Sequence, residues 1–441
     1  MQSNGYDLGL FDQWLWLLSK GLPPYSSIHL QSLHVMADHG AWILYPLSLL
    51  YKIKPSIYWL FVVQALALSF TSFPLAILAK KCGLSHERIW LVCGIWWLQP
   101  IVFNINLFDF HPEVLVAPVI VLNFLASRNN NLFFWLLTIF VILGARDGLI
   151  LLVLGMSVEQ LFRRRYLWSF LSFFLASNWL LFLRYSLYPL INTSNEEIYA
   201  IENHFSYLGS SMQEIVFNIL TKPTLILQTI SSLDIAFYFL ILCLPFVPFW
   251  RFSSLVILTS AIPLLIVNSI AESFSFRSLV HHYSLPLSII GTVAAIDGLA
   301  RIKSSYLSLR WSFFWIFLTW GLLAKPMFFI GPYLSRLNLI SSADDAFSLI
   351  SNDSRVLTTS YLVPHLSQRE SISFPINNIA KIDDFDILLL NPSDPGWLSD
   401  SDSQQNYIDQ ANSQGWLCNQ KDKGLTLCAR SKDVINHKSS N

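Results

Sequence analysis

Eight long apolar runs constrain this chain most: 56–79, 88–106, 112–127, 168–190, 233–250, 253–270, 279–300 and 311–330. A helix needs roughly 20 predominantly apolar residues to cross a bilayer, and inside the bilayer the backbone must satisfy its own hydrogen bonds, so these runs predict membrane helices. Two shorter runs, 132–143 and 149–161, are divided by the charged pair Arg146-Asp147. They read as a broken or re-entrant pair, an interruption tolerated where it lines a cavity. Charged residues make up 13% and hydrophobic residues 54% of the 441 positions, whereas an average soluble domain is roughly 25% charged. The expectation is a polytopic α-helical membrane protein with about ten membrane helices, the short pair counted as two.

Basic residues orient the connections. Lys80, Lys81 and Arg88, then Arg128, Arg163-Arg164-Arg165, Arg251, and Arg301, Lys303 and Arg310 fall on alternate loops, the pattern of cytoplasmic ones. The other loops then lie outside: Asp7 and Asp12, Asp38-His39, Asp109-Phe110-His111-Pro112-Glu113, Arg146-Asp147, residues 192–214, and residues 272–283. Charge and histidine collected on one face point to a shared site; the alternative is that loops are simply where charges go. With 28 basic and 28 acidic residues the formal net charge is zero, so nothing argues for a nucleic-acid partner. The 10 histidines include no His-Glu-x-x-His spacing. No secretory signal pattern opens the sequence, so insertion is expected to rely on the spans.

Three domains are expected: an extracytoplasmic loop with interfacial helices over 1–54, a transmembrane domain over 55–331, and a small extracytoplasmic α/β domain over 332–441. In the first, Tyr6-Asp7-Leu8-Gly9-Leu10-Phe11-Asp12-Gln13 sets two carboxylates among aromatic residues. Acidic groups beside a bilayer are costly unless they line a polar cavity; the competing reading makes Asp7 or Asp12 a helix N-cap. Trp14-Leu15-Trp16-Leu17-Leu18 and Trp42-Ile43-Leu44-Tyr45-Pro46-Leu47 are short and Trp-rich, fitting interfacial helices or packing on neighbouring spans. In the third domain, strands are expected at 355–358, 386–390 and 425–428 and helices at 344–351 and 403–413. A hairpin over 416–429 would set Cys418 opposite Cys428, as a disulfide in an oxidising compartment or as two buried thiols. Cys82, Cys93 and Cys243 read as apolar packing.

Tyr6-Asp7-Leu8-Gly9 with Asp12-Gln13 and Trp16, Asp38-His39, Phe110-His111-Pro112-Glu113, His282-Tyr283 and Tyr361-Leu362-Val363-Pro364-His365-Leu366-Ser367-Gln368-Arg369 together resemble the bacterial membrane family catalogued as domain of unknown function 2079. The resemblance covers nearly the whole chain and rests on the ordered set of motifs. That family is similar to the GT-C glycosyltransferases, whose members carry an acidic residue in the first extracytoplasmic loop, followed by surface helices, and use polyprenyl-phosphate sugars as donors. By that resemblance Asp7 holds the acidic position, with Asp12 second. GT-C proteins also have a membrane helix before the acidic loop; either the true start lies upstream here or this member lacks that span.

The resemblance implies transfer of a sugar from a polyprenyl-phosphate donor to an acceptor at the outer face of the bacterial cytoplasmic membrane. Such a transfer needs a base for the acceptor hydroxyl, for which a carboxylate such as Asp7 serves. It also needs cationic or hydrogen-bonding groups for the departing lipid phosphate. Arg146, Arg277, His281 and His282 lie on the expected face, with Asp38, His39, Asp109, His111 and Glu113 as further binding candidates. Each has a plainer reading: Arg146 pairs with Asp147, and Arg277 touches lipid headgroups. An Asp-x-His pair is a weak metal signal, so no metal is assigned. Membrane lipid and a lipid-linked donor are the expected partners, with the acceptor open among lipid, glycan and protein. Two other classes compete: a transporter or flippase with Arg146-Asp147 in its pathway, and a non-catalytic membrane binding protein.

Overall fold

The structure is a computed structural model and describes residues 3–28, 32–191, 204–302, 308–376, 380–421 and 424–431. Residues 192–203 of the expected outer loop, Lys303, and Asp422 and Lys423 of the expected hairpin turn lie outside these. The chain forms two compact units. One comprises Met1–Asp38, Leu44–Val62 and Pro326–Asn441; the other comprises His39–Ile43 and Val63–Lys325.

The second unit is helical, as the apolar runs require. Among the described residues three helices have the length and apolarity to cross a membrane: Tyr58–Lys81, Tyr166–Ile191 and Phe252–Ile270. The number rises to five if His86–Trp97 with Pro100–Leu107, bent by 45°, and Leu309–Leu323 with Pro326–Leu349 each count as one span. This is fewer than the sequence reading, because apolarity along a run does not guarantee an unbroken helix. The 112–127 run opens with a 3-10 turn, Pro112–Val116, before the 12-residue helix Ala117–Arg128. Run 279–300 is α-helical only over Leu285–Leu299, and run 233–250 only over Leu233–Cys243. Buried polar side chains join the helices at depth. Trp135 Nε1 donates to Ser172 Oγ at 2.9 Å, Asn123 Nδ2 to Thr138 Oγ1 at 2.8 Å, and Ser157 Oγ to the Ser169 carbonyl at 2.7 Å. Helices Leu132–Leu143 and Ile150–Phe162 are separated by the 3-10 turn Asp147–Leu149, so the charged pair does break the helix.

The first unit joins the two ends of the chain. A π-helical turn, Gly5–Gly9, runs directly into the helix Leu10–Lys20, which stops at Gly21 in the left-handed conformation with φ 72°. Strands β1 (Tyr25–Ser26) and β2 (Leu33–His34) form a small antiparallel pair. Trp14 in the first helix is wholly buried and donates its indole N–H to the Leu33 carbonyl at 3.0 Å. The helix Leu44–Ile53 buries Leu44, Ser48 and Tyr51 on one face and exposes Leu49 and Ile53 on the other. Of the Trp-rich helices, the first is thus packed inside its unit, while the second presents an apolar surface.

The C-terminal part holds a five-stranded sheet in the order β4-β3-β5-β7-β6, formed by β3 (Val356–Thr358), β4 (Ile372–Ser373), β5 (Ile387–Leu390), β6 (Leu417–Gln420) and β7 (Thr426–Ala429). Strands β4, β3 and β5 are parallel, and β7 and β6 add antiparallel. The sequence Ile-Leu-Leu-Leu of β5 is buried at every position, as a parallel strand covered on both faces demands. The helix Ser401–Ser413, capped by Asp400 accepting from Ser403 N, buries Tyr407, Ile408 and Ala411 into the sheet core. Cys418 and Cys428 are register partners on β6 and β7 and are joined by a disulfide.

Candidate functional site

The chemistry-bearing residues assemble into one polar centre in each unit. In the first unit the centre is the N-terminal turn. Asn4 caps it twice over: its Oδ1 accepts from Asp7 N at 2.8 Å and its Nδ2 donates to Asp7 Oδ2 at 2.8 Å. Asp7 is therefore half-buried with its carboxylate oriented by the turn it starts. Tyr6 meets two other rings edge to face, Phe374 at 5.0 Å and Trp397 at 5.6 Å between centroids, and burial pushes its hydroxyl up to about 12.

Glycine makes this turn possible. A Cβ on Gly5 would stand 2.9 Å from the Phe374 ring, and one on Gly9 2.9 Å from Val363 Cγ1. The N-terminal motif thus lies directly against the Tyr361–Arg369 motif, more than 350 residues later. Gly5 N also donates to Ser360 Oγ at 3.5 Å, 355 positions away.

Asp12 is wholly buried. Tyr51 Oη donates to its Oδ1 at 2.7 Å, Gln368 Nε2 to the same oxygen at 3.2 Å, and Ser367 Oγ to Oδ2 at 2.7 Å. Burial outweighs these donors and raises its carboxyl to about 6. Gln13 extends the seam, accepting from Ser26 Oγ at 2.6 Å and donating to the Arg369 carbonyl at 2.9 Å. Arg369 is buried and gives its own N–H groups to the carbonyls of Leu366, Ser351 and Ser354, and burial lowers it to about 10. His365 stacks on Phe347 at 5.4 Å, and burial lowers it to about 4. Asp12, Gln13, Ser367, Gln368 and Arg369 act as one hydrogen-bonded clasp.

In the second unit the centre is Glu113, Arg146 and His282. Arg146 Nη1 donates to Glu113 Oε1 at 2.7 Å and meets His282 Nε2, which lies 3.3 Å from the same carboxylate oxygen. Its guanidinium sits 5.1 Å above the Tyr283 ring. His111 stacks on His282 at 3.8 Å, and its Nδ1 lies 2.9 Å from the Asp109 carbonyl. The Asp-x-His spacing thus closes a local backbone contact. Phe108 adds ring contacts to His111 at 5.7 Å and to His281 at 5.2 Å. Glu113 Oε2 and His282 Nδ1 are buried and have no hydrogen-bond partner among the described residues. Among the described residues no group of three or more His, Cys, Asp or Glu is placed to hold a metal ion.

Other expected residues lie apart from these centres. Asp147 has His39 Nδ1 at 3.5 Å and accepts from Gly148 N at 2.8 Å. Arg277 pairs with Asp234 at 2.8 Å and with the Ala271 carbonyl, at the edge of a cavity of about 260 Å³. Asp38, the last residue of the Met1–Asp38 stretch of the first unit, is half-buried on the short helix Val35–His39. Tyr51, Ser367 and Gln368 as partners of Asp12, and Trp397 as a partner of Tyr6, had no local signal in the sequence.

A family profile described as "Predicted membrane protein (DUF2079)" matches residues 1–427. The chain belongs to the DUF2079 family. No curated protein matches it. Among solved structures it resembles ArnT from Cupriavidus metallidurans in two crystal structures. The apo structure shares 11% identity, with 99% of this chain and 95% of that one covered, and a TM-score of 0.56. The structure bound to undecaprenyl phosphate shares 10% identity, with 99% and 96% covered, and a TM-score of 0.56. At that identity the likeness is one of fold: this chain of a predicted membrane protein family has an ArnT-like fold.

Proposed function

We propose that this DUF2079 protein is a glycosyltransferase that moves a sugar from a polyprenyl-phosphate donor to an acceptor hydroxyl at the outer face of the cytoplasmic membrane, with its C-terminal α/β region extracytoplasmic. The observation that carries the reading is the Asn4-held carboxylate of Asp7, on a fold like that of ArnT, one structure of which is bound to undecaprenyl phosphate. In the reaction the acceptor oxygen attacks the anomeric carbon and gives its proton to the Asp7 carboxylate. The bond from that carbon to the phosphate oxygen breaks, and the lipid phosphate leaves with the electron pair. The charge that builds on the departing phosphate calls for a cationic or hydrogen-bonding group beside it. Asp12, with three donors already on its carboxylate, positions the turn that carries Asp7.

The test is mass spectrometry of lipid-linked and surface glycans from cells lacking the protein, complemented with wild type or with Asp7→Asn. A sugar lost on deletion and restored only by wild type is the expected result. Full restoration by Asp7→Asn removes Asp7 from the mechanism. One observation favours a transporter instead: the buried Glu113–Arg146–His282 group at a helix break. Glycans unchanged in every strain would favour that reading.

A further inference from the structure

Strands β3, β4 and β5 are in the order β4-β3-β5. The chain leaves β3 for one neighbour and later returns to its other side, so the crevice outside the carboxyl ends of β3 and β5 is a topological switch point, where parallel sheets bind ligands. Two loops form it. Thr359–Tyr361 follows β3, and residues 391–400 follow β5. The N-terminal turn docks here, through Gly5 N on Ser360 Oγ.

The second loop carries Trp397, which is 53% exposed, and holds it rigidly. Arg336 grips Asp394 through both carboxylate oxygens at 2.6 and 2.9 Å and lies 4.0 Å above the Tyr361 ring. Gln404 Nε2 donates to the Pro395 carbonyl at 2.8 Å, and Gly396 holds φ 78° where a Cβ would stand 3.2 Å from Tyr361 Cδ1. An exposed indole on a braced loop has been given up neither to the core nor to disorder. Its ring stands perpendicular to Tyr6, the residue before Asp7.

We propose that Trp397 and Tyr6 form a carbohydrate platform beside Asp7, on which a pyranose ring of the transferred or accepting sugar stacks. This rests on the reading of Asp7 as the base. Sugar rings present axial C–H groups to an aromatic face and hydroxyls at their rim, and a wall of two perpendicular rings next to a carboxylate matches both. The loop carries Asp394, already paired with Arg336, and Asp400, with no Lys or Arg of its own, so it offers an anionic bilayer surface no cationic anchor, and the observations favour a sugar over lipid as the occupant.

The test uses the full chain, purified in detergent with 5-fluorotryptophan incorporated. The Trp397 resonance is the one missing from Trp397→Phe. Titration with methyl pyranosides of glucose, galactose, mannose and N-acetylglucosamine should shift that resonance saturably for at least one of them, and glycerol should not. Asp7→Asn should keep the shift, and Tyr6→Ala should weaken the binding roughly tenfold. No shift with any glycoside overturns the proposal. So does broadening of the resonance by spin-labelled lipid in nanodiscs, which would make Trp397 a bilayer contact. A persisting glycoside shift together with unchanged cellular glycans on deletion would support the platform while overturning the transferase reading, so the two failures are separable.

Discussion

The hydroxyl of Tyr51 donates a 2.7 Å hydrogen bond to the wholly buried carboxylate of Asp12, 39 positions earlier in the chain. Because burial outweighs its donors, Asp12 titrates near 6 in the folded protein, against 3.8 in an exposed chain. The folded state therefore holds the proton more tightly than the unfolded state. The stability this contributes is present below about pH 4 and is lost as pH rises through about 6. The difference in proton affinity is worth roughly 3 kcal/mol. The difference in melting temperature between wild type and Asp12→Asn should change between pH 4.5 and 7, with wild type losing ground as pH rises. Asn can accept from Tyr51 and Gln368 through its oxygen and donate to Ser367 Oγ, so the variant should fold. A pH-independent difference would place the Asp12 pKa outside this window.

The approach of Gly9 to Val363 argues a second outcome. A methyl group on Gly9 would meet Val363 Cγ1 at 2.9 Å inside the clasp between the two ends of the chain. Gly9→Ala should lose about 1–3 kcal/mol by overpacking, and Val363→Ala in the same chain should return a large part of it. Thermal unfolding of the two single variants and the double variant closes the cycle. Simple additivity would mean that the methyl group is accommodated elsewhere.

These contacts mark the boundary of what could be read from sequence. The break at Arg146-Asp147 was legible, because a charged pair between two apolar runs interrupts a helix whatever lies around it. Strand β5 was legible as the run Ile387 to Leu390, and the Cys418–Cys428 register followed from the spacing across a hairpin. Whole spans were less legible: the 279–300 run carries His281-His282-Tyr283-Ser284 near its start, and its α-helix begins only at Leu285, behind the 3-10 turn His282–Ser284, because the mean apolarity of a run does not locate the first helical residue. The clasp was invisible. Asp12 meets Ser367 across 355 positions, and nothing in the neighbourhood of either residue carries that information.

In the second unit, Glu113 and Arg146 are a buried pair, with side-chain exposures of 3% and 14%. Breaking such a pair from one side leaves a charge without compensation, at a cost of about 3–5 kcal/mol. Glu113→Gln and Arg146→Gln should each sharply reduce the amount of folded protein recovered in detergent. The double variant should recover part of it, since two neutral amides can hydrogen-bond to each other. Size-exclusion chromatography of the three proteins decides this; a double variant no better than the worse single one would show that the charges act independently.

The disulfide between Cys418 and Cys428 gives the last prediction, because its oxidation state also reports on compartment. It closes a loop with a sequence separation of 10, for which chain entropy gives about 2–3 kcal/mol of stabilisation. Structural disulfides persist on the outer side of the cytoplasmic membrane and are reduced inside it. With the C-terminal α/β region outside, protein denatured and trapped with a thiol-alkylating reagent directly on lysis should carry label on neither Cys418 nor Cys428, and on both after reduction; denaturation is needed since Cys428 is buried in the folded sheet. Cys418→Ser should lower the melting temperature and leave Cys428 open to the reagent. Label on both residues without prior reduction would place the domain in a reducing compartment and reverse the proposed orientation.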